Sequence, residues 1–350
     1  MNRICQTSYG TLEVVLNLAG YKGNSNRQLV HVYRDRFAGT WHDAGIVTSK
    51  PSSGGSIIQN LVKTNSQGDG NLEVIVLEDN GRVKHYTRKG ATYMDGITHR
   101  WQLAGTVNAD RHPYYGKIVA SEASPIFQCS FPAPESKEYT LETVLVDAIG
   151  NAFHYCCYQA FSSLDDTTSY RWVLGSRITT GAVGPVWLYQ DSKEDGLKAL
   201  IPQDKGIFQY SFVDGVWSRV SNIFDGHAFA CTFRPNPTLP SRVYVAMKEG
   251  GKSIATDMVG KHPLLLSPGG LMSRTALGRG HQTYRGHPVA IVSQFQGTLG
   301  YSSNAEAISI QPCGTGWHDT WMVLHWSYLT NGDEWKISGV LLSCVEGIPM

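Results

Sequence analysis

At 350 residues, with 37 glycines, 11% aromatic and only 17% charged residues, the chain has the composition of a turn-rich β protein with a large core rather than that of a disordered or coiled-coil chain. Its formal charge of +1 supplies no field to draw in nucleic acid or an anionic membrane, so both are set aside as partners. No run of about 18 apolar residues is present to span a bilayer, and the initial Met-Asn-Arg-Ile-Cys-Gln lacks the apolar core of a signal peptide; secreted and cytoplasmic locations both stay open.

Taken in order, the chain repeats a pattern of short strands. The first copy shows strand-like runs at 11–16 and 29–35, followed by Trp41. The second copy is the most complete: an apolar run at 56–62, period-two alternation at 71–78, a tight-turn signal in Asp79-Asn80-Gly81, a third strand at 82–88, and a tryptophan segment at 101–107. The third copy has 140–145, 152–157 and Trp172, and the fourth has 196–201, 207–212 and Trp217. In the fifth, 242–247 and 253–258 are followed by a tryptophan-less segment at 263–273. The sixth is assigned to 288–294, 307–311, 320–328 and 335–343.

One such sheet cannot bury both its faces, so copies must stack. The expected architecture is a single all-β domain over residues 1–350, a six-bladed β-propeller of four-stranded antiparallel blades. The approximate blades are 1–49, 55–109, 117–180, 183–224, 227–275 and 287–344, and the sixth is expected to close the ring with residues 3–8. The rival, a pair of β-sandwich domains, would not require a tryptophan after every third strand.

Ile57-Ile58-Gln59-Asn60, then Gly70-Asn71-Leu72-Glu73-Val74-Ile75-Val76, then Lys84-His85-Tyr86-Thr87-Arg88 resemble the repeat of lectin-like β-propellers common in fungi. Units of that family read roughly Leu-Ile-Gln-Ser, Gly-Asn-Leu-Glu-Val-Val-Val and His-Tyr-Trp-Arg-Asp. The second copy matches best, the first and third in part, the last three in outline. In length and degenerate repeats the chain is also similar to the group of these propellers recruited as hetero-Diels-Alderases in tropolone sesquiterpenoid biosynthesis. That resemblance implies a cofactor-independent cyclase joining a tropolone quinone methide to a humulene-type terpene, hence a small apolar natural-product substrate held in one central pocket. The alternative is a carbohydrate-binding lectin-like propeller with a glycan as partner. No catalytic residue transfers from the family by position.

A lectin propeller binds sugar once per blade or between blades, so its ligand residues should repeat. Here the third strands offer Arg34 and Asp35, Arg88, Cys157, Ser211 and Met258 in turn, so structural positions repeat and ligand-type positions do not. One unique site at the central axis follows. The connections leading into the innermost strands are its candidate rim. They contain Arg111 to Gly116, Asp225 to His227 and Arg279 to His287, with four of the twelve histidines. His112, Tyr114, His281 and Arg285 are the candidate catalytic hydrogen-bonding groups. Gln59, Tyr115, Trp187, His227, Tyr284 and His287 are the candidate substrate-binding groups. For each, the competing reading is a turn residue or an inter-blade hydrogen-bond donor. His31, His85 and His154 occupy one repeated position, which marks packing, and so do the fourth-strand tryptophans.

Motifs for zinc hydrolysis, acyl transfer, phosphate cradling and dinucleotide binding are missing from the sequence. Two loops, 65–70 and 191–196, weakly resemble calcium loops but lack a carboxylate ladder, with Lys193 where an oxygen ligand belongs; plain polar turns are expected, with no metal and no cofactor. Asp165 and Asp166 lie in a Ser/Thr-rich loop and suggest solvation rather than glycoside hydrolysis. The seven cysteines are odd in number and form no CxxC pair. Buried thiols are expected, with a Cys5–Cys344 bridge as the alternative.

Overall fold

The computed structural model describes residues 4–7, 11–18, 21–23, 26–35, 39–60, 70–89, 100–130, 139–162, 167–190, 196–225, 228–234, 242–249, 252–257, 263–267, 270–272, 287–293, 305–312, 320–329 and 334–346; from residue 224 onward the description is of backbone alone. Among these residues the chain forms six antiparallel sheets of four or five strands and one short hairpin. The first sheet joins β1 (Ile4–Gln6), β2 (Leu12–Leu18), β3 (Gln28–Arg34) and β4 (Trp41–Thr48) in that order. The second joins β5 (Pro51–Gln59), β6 (Leu72–Glu78), β7 (Val83–Arg88) and β8 (Gln102–Thr106). After the hairpin of β9 (Arg111–His112) and β10 (Gly116–Lys117) comes the third sheet. There β11 (Ala120–Ala123) and β12 (Phe127–Ser130) both pair with β13 (Tyr139–Asp147), which leads to β14 (Ala152–Ser162) and β15 (Thr167–Thr179). The fourth sheet runs β16 (Trp187–Tyr189), β17 (Lys198–Gln203), β18 (Gly206–Val213), β19 (Val216–Asp225). The fifth runs β20 (Ala228–Arg234), β21 (Arg242–Glu249), β22 (Lys252–Asp257), β23 (Pro263–Ser267), β24 (Gly270–Met272). The sixth runs β25 (His287–Ser293), β26 (Ala305–Pro312), β27 (Thr320–Leu329), β28 (Glu334–Glu346).

Burial grades from the inside of each sheet outward. Every residue of β6 is buried, and so are all of β2 except Asn17. Strands covered on both faces read as nearly continuous apolar runs, as Leu72-Glu73-Val74-Ile75-Val76-Leu77 does. The fourth strands β4 and β8 are largely open to solvent. Cα atoms of each sheet come within 8 Å of the next sheet, with β5 beside β2, β11 beside β6, β16 beside β12, β20 beside β17 and β25 beside β20; β1 also lies beside β25 and β4 beside β28. Between the first four sheets the interfaces are apolar. Val15, Leu29 and Ile57 meet in one cluster, Ile75, Ile126 and Phe153 in another, Val144, Leu188 and Ile201 in a third.

The tight turn read at Asp79-Asn80-Gly81 has a second duty. Gly81 adopts φ +71, and its carbonyl accepts the N–H of Ala120 (3.0 Å) from the following sheet. A Cβ there would stand 2.3 Å from Val119 Cγ1, so only glycine lets the turn dock so closely. The third sheet repeats the device, with Gly150 (φ +82) accepting from Ala182 N–H at 3.0 Å.

Within residues 3–8, Ile4 to Gln6 pair with β2 of the first sheet, Ile4 opposite Val14, and β1 lies beside β25 of the sixth. Two expectations need correction. The segment read as one strand at 263–273 holds two paired strands, β23 and β24, with Ser267 opposite Gly270. The third sheet's first strand is split in two at Ser124-Pro125-Ile126, where proline has no N–H to give the ladder. The 65–69 and 191–195 segments and Asp165 and Asp166 lie outside the described residues, as does the side chain of Cys344 in its proposed pairing with Cys5.

Candidate functional site

The strongest repeated polar feature lies between sheets. In each of the first three, a glutamate on the second strand meets a histidine on the third. Glu13 Oε2 lies 2.7 Å from His31 Nε2, Glu73 Oε2 lies 3.0 Å from His85 Nε2, and Glu142 Oε2 lies 2.7 Å from His154 Nε2. Each imidazole then receives a tryptophan ring of the next sheet edge-on: Trp101 on His31 (5.4 Å), Trp172 on His85 (5.6 Å) and Trp217 on His154 (5.3 Å). Glu13, Glu73 and Glu142 are 0% exposed.

The hydrogen bonds fix the protons. Trp172 Nε1–H donates to His85 Nδ1 at 3.3 Å, and an indole can only donate, so His85 carries its proton on Nε2 and gives it to Glu73. Arg88 Nη1 does the same to His31 Nδ1 at 3.0 Å. Burial holds His31 below its usual range, against the pull of Glu13 and with the help of Arg88. The remaining carboxylate oxygens are saturated from within the protein. Thr11 donates to Glu13 Oε1 (2.7 Å), Thr140 to Glu142 Oε1 (2.5 Å), and Tyr170 O–H (2.7 Å) and Asn60 Nδ2 (3.1 Å) to Glu73 Oε1. A general base needs an open nitrogen facing a substrate. His31 and His85 have none, so these are inter-sheet staples, as their repetition in the sequence suggested.

A second polar cluster, unread in the sequence, joins the second and third sheets. Gln128 Nε2 donates to Asn60 Oδ1 (2.6 Å), and Asn60 Nδ2 also donates to Gln159 Oε1. Tyr170 closes it, its phenol pushed up by burial and by Glu73 and so kept as a donor. Gln159 and Tyr170 belong to the part of the β14–β15 hairpin that extends past the repeat; the length of that hairpin between Ala152 and Thr179 was the available signal. Nearby, burial pushes the Cys156 thiol up to about 11 and that of Cys157 higher, so both are inert packing groups.

The candidate rim residues fall into separate places. His112 and Tyr115 pack on the buried ring of Phe153 in β14, at 5.7 and 5.4 Å between centroids, and Arg177 of β15 stands over Tyr115 at 5.2 Å. His112 Nδ1 accepts the N–H of Tyr114 at 3.0 Å, which shapes the turn. Tyr114 is 90% exposed and Tyr115 42%. This hairpin covers the third and fourth strands of its sheet and not the innermost pair, because the connection has to cross from β8 at the outside of one sheet to β11 at the inside of the next. Trp187 does lie on an innermost strand and is 6% exposed. Gln59 ends β5, where its N–H donates to Cys5 Sγ (3.1 Å) and its Nε2 to Gly70 O (3.4 Å). By register, Gln6, Gln59, Gln128 and Gln190 are equivalent, since each lies opposite or next to the strand-two Leu-Glu position; repetition marks Gln59 as part of the scaffold. His227, His281, Tyr284 and Arg285 lie outside the described residues, and His287 opens β25, described by its backbone alone. Among the described residues no group of three or more His, Cys, Asp or Glu is placed to hold a metal ion.

No family model and no curated protein matches the sequence. Solved structures do match in fold. AofleA from Arthrobotrys oligospora is similar with a TM-score of 0.55 at 12% identity, over 99% of this chain and 86% of that one. A protein of unknown function from Dyadobacter fermentans is similar with a TM-score of 0.53 at 10% identity, over 90% of this chain and 91% of that one. At such identities the likeness is one of fold: the chain is an all-β, propeller-like assembly of antiparallel sheets of about four strands.

Proposed function

We propose that the six sheets close into one six-bladed propeller over residues 1–350 and that this propeller is a cofactor-independent natural-product cyclase of the hetero-Diels-Alder type. Closure is supported by the neighbourhood of β1 with β25 and of β4 with β28. It is supported too by the register of the sixth sheet, which would allow a fourth staple. Glu306 lies opposite Ser327 and Ile308 opposite His325, the same register that places Glu13 opposite Tyr33 and Val15 opposite His31. Its tryptophan would be Trp41, the first sheet's counterpart of Trp101.

The observation that carries the functional reading is the internal saturation of the repeated polar positions. A multivalent lectin needs an open pocket at each repeat, whereas at the first three interfaces the carboxylates are filled by His, Thr, Tyr and Asn. Ligand contact is left to positions that do not repeat. A single pocket that confines a tropolone quinone methide and a humulene-type terpene converts two π bonds into two σ bonds without cofactor or leaving group, and well-oriented confinement supplies about 7–11 kcal/mol. With the His112, Tyr114 and Tyr115 hairpin over the outer strands and Gln59 in the scaffold, His281 and Arg285 would polarise the oxygens, and Trp187, His227, Tyr284 and His287 would line the pocket. Glycan binding is the second reading, favoured by one feature: the open ring of Tyr114 beside Tyr115 and Arg177, a surface on which a sugar face can stack.

A thermal-shift titration with a terpenoid and polyketide panel and a simple-sugar panel separates the two. A shift with the apolar panel, lost in the His281→Ala/Arg285→Ala double variant and kept in Tyr114→Ala, is the expected result. A shift with sugars alone overturns the cyclase reading.

A further inference from the structure

The turn that docks the second sheet on the third carries a chemical group that the matching turn of the third sheet lacks. Gly81 O accepts the N–H of Ala120 at 3.0 Å and Asn108 Nδ2 at 2.9 Å, so two donors from beyond the turn hold this one carbonyl. Asn108 is 1% exposed and ties the same point to its surroundings: it also donates to Ile118 O (2.8 Å) and accepts the N–H of Val83 at 3.0 Å. The residue before Gly81 is Asn80, exposed to solvent. In the third sheet, where Gly150 O accepts from Ala182, the residue before the glycine is Ile149. A side-chain amide followed by glycine is open to attack by the next backbone nitrogen, because glycine has no Cβ to obstruct the approach.

We propose that Asn80 is a site of spontaneous deamidation, and that the change undocks the β6–β7 turn from the third sheet. The Gly81 nitrogen attacks Asn80 Cγ; a C–N bond forms, the bond to Nδ2 breaks, and the amide group takes up the proton of the attacking nitrogen and leaves as ammonia. One water then opens the cyclic imide at either carbonyl, giving aspartate or the isomer whose main chain runs through the side-chain carboxyl. Two hydrogen bonds set the course. Arg82 N–H donates to Asn80 Oδ1 at 2.9 Å, which draws charge away from Cγ in the manner of an oxyanion donor. Gly81 N–H donates to Glu78 O at 2.9 Å, so the nitrogen is released only when the turn opens. Asp79, Asn80 and Arg82 are all exposed, which makes that opening a local event. The isomer inserts one methylene into the main chain directly before Gly81. A turn pinned at Gly81 O by two donors has no slack for the added length, so Ala120 N–H and Asn108 Nδ2 lose their common acceptor. Aspartate keeps the backbone unchanged and still accepts from Arg82. The proposal concerns the boundary of the second and third sheets and is independent of the cyclase reading.

Ageing the intact protein in warm, mildly alkaline buffer, followed by peptide mapping and thermal melting, tests it. Asn80 should convert from amide to acid, with the isomer as the larger product, detected as a substrate of isoaspartate methyltransferase. A synthetic peptide of residues 76–86 gives the rate of an open chain, and the protein should follow it more slowly, by the fraction of time that the turn is open. The aged protein should melt about 2–4 °C lower than fresh protein, and lower than fresh Asn80→Asp, which carries the new charge without the added methylene. Asn80→Ser, which keeps an acceptor for Arg82 N–H but has no amide to lose, should hold its melting temperature through the same treatment. The other Asn-Gly pair of the sequence, 331–332, lies outside the described residues and is read separately in its own peptide. An Asn80 that keeps its amide while the peptide converts in full overturns the proposal. So does an aged protein that melts with fresh Asn80→Asp, or an Asn80→Ser protein that loses stability as fast as the wild type.

Discussion

Replacing His85 by alanine measures what one staple is worth. The substitution removes the bond from Nε2 to Glu73 at 3.0 Å, the acceptor for Trp172 Nε1–H at 3.3 Å, and edge contacts with Tyr170 at 4.7 Å and Trp172 at 5.6 Å. A bond to a charged acceptor contributes about 1.5–3 kcal/mol, and an indole N–H left buried without a partner costs about 1 kcal/mol more at this long distance. Each ring contact adds roughly 0.5–1 kcal/mol. Stripping a buried carboxylate of its partner can cost about 3–5 kcal/mol, but Glu73 keeps Tyr170 and Asn60 as donors, so that full penalty does not apply. The expected loss is therefore about 3.5–6 kcal/mol, a large share of the stability of a typical domain.

Urea unfolding followed by tryptophan fluorescence reads this directly. Tyr170→Phe, which removes one donor of the three, should cost about 1.5–2 kcal/mol. Because both residues serve the same carboxylate, the double variant should lose more than the two single losses together. A His85→Ala loss under about 1 kcal/mol, or strict additivity in the cycle, would refute the staple as a cooperative unit.

Gly150→Ala should cost about 2 kcal/mol, since φ is +82 and the new Cβ would meet Ala182 O at 2.9 Å; Gly215→Ala, at φ +81 with no atom within 4 Å, should cost only about 1 kcal/mol, and the difference between their urea midpoints isolates the docking of the turn. Because His31 is held below its usual range in the folded state, the unfolded chain binds a proton that the folded one refuses, so stability should fall as pH drops below about 6.5, by up to about 1.4 kcal/mol per pH unit, until the lowered folded value is passed. His31→Gln should flatten that part of the pH profile, and an unchanged slope would show that other groups set it. If Trp41 seats on the sixth sheet, His325→Ala should lower the melting temperature about as much as His85→Ala, while Ser327→Ala, two positions along the same strand, should not.

The sheets were legible where packing repeats. Leu-Glu-Val on the second strand and His on the third recur because each is pressed between two sheets, and buried positions tolerate few alternatives. The pairing of that glutamate with that histidine was not legible, since it depends on an antiparallel offset that puts Glu13 beside Tyr33 and not His31 in the ladder. The same offset hid the glutamate and histidine of the sixth copy, whose strands were read. Ala305-Glu306-Ala307 has lost the leucine and valine that flag the motif, and His325 is embedded in Leu-His-Trp, so only register brings the two together. The His112 hairpin was read as a rim because its composition is polar and aromatic, but composition cannot say that the rings will settle on Phe153, a residue some forty positions further on. Loops have no period from which direction can be deduced.

The fourth and fifth sheets show what a broken period can say. Only Trp172 has its indole N–H satisfied by the imidazole, while Trp101 and Trp217 bury theirs unpaired, so what all three staples share is the edge-on contact of indole with imidazole, which needs both rings. Loss of either member removes the reason to keep the other. Single random replacements would leave orphans, a His without its Trp or a Trp without its His. At the fourth boundary neither is left, and Lys198 stands at the glutamate register. Gln209 stands at the histidine register instead, held between Ser221 and Tyr189, and the loss of both rings at one boundary is what a staple that works as a unit leads one to expect.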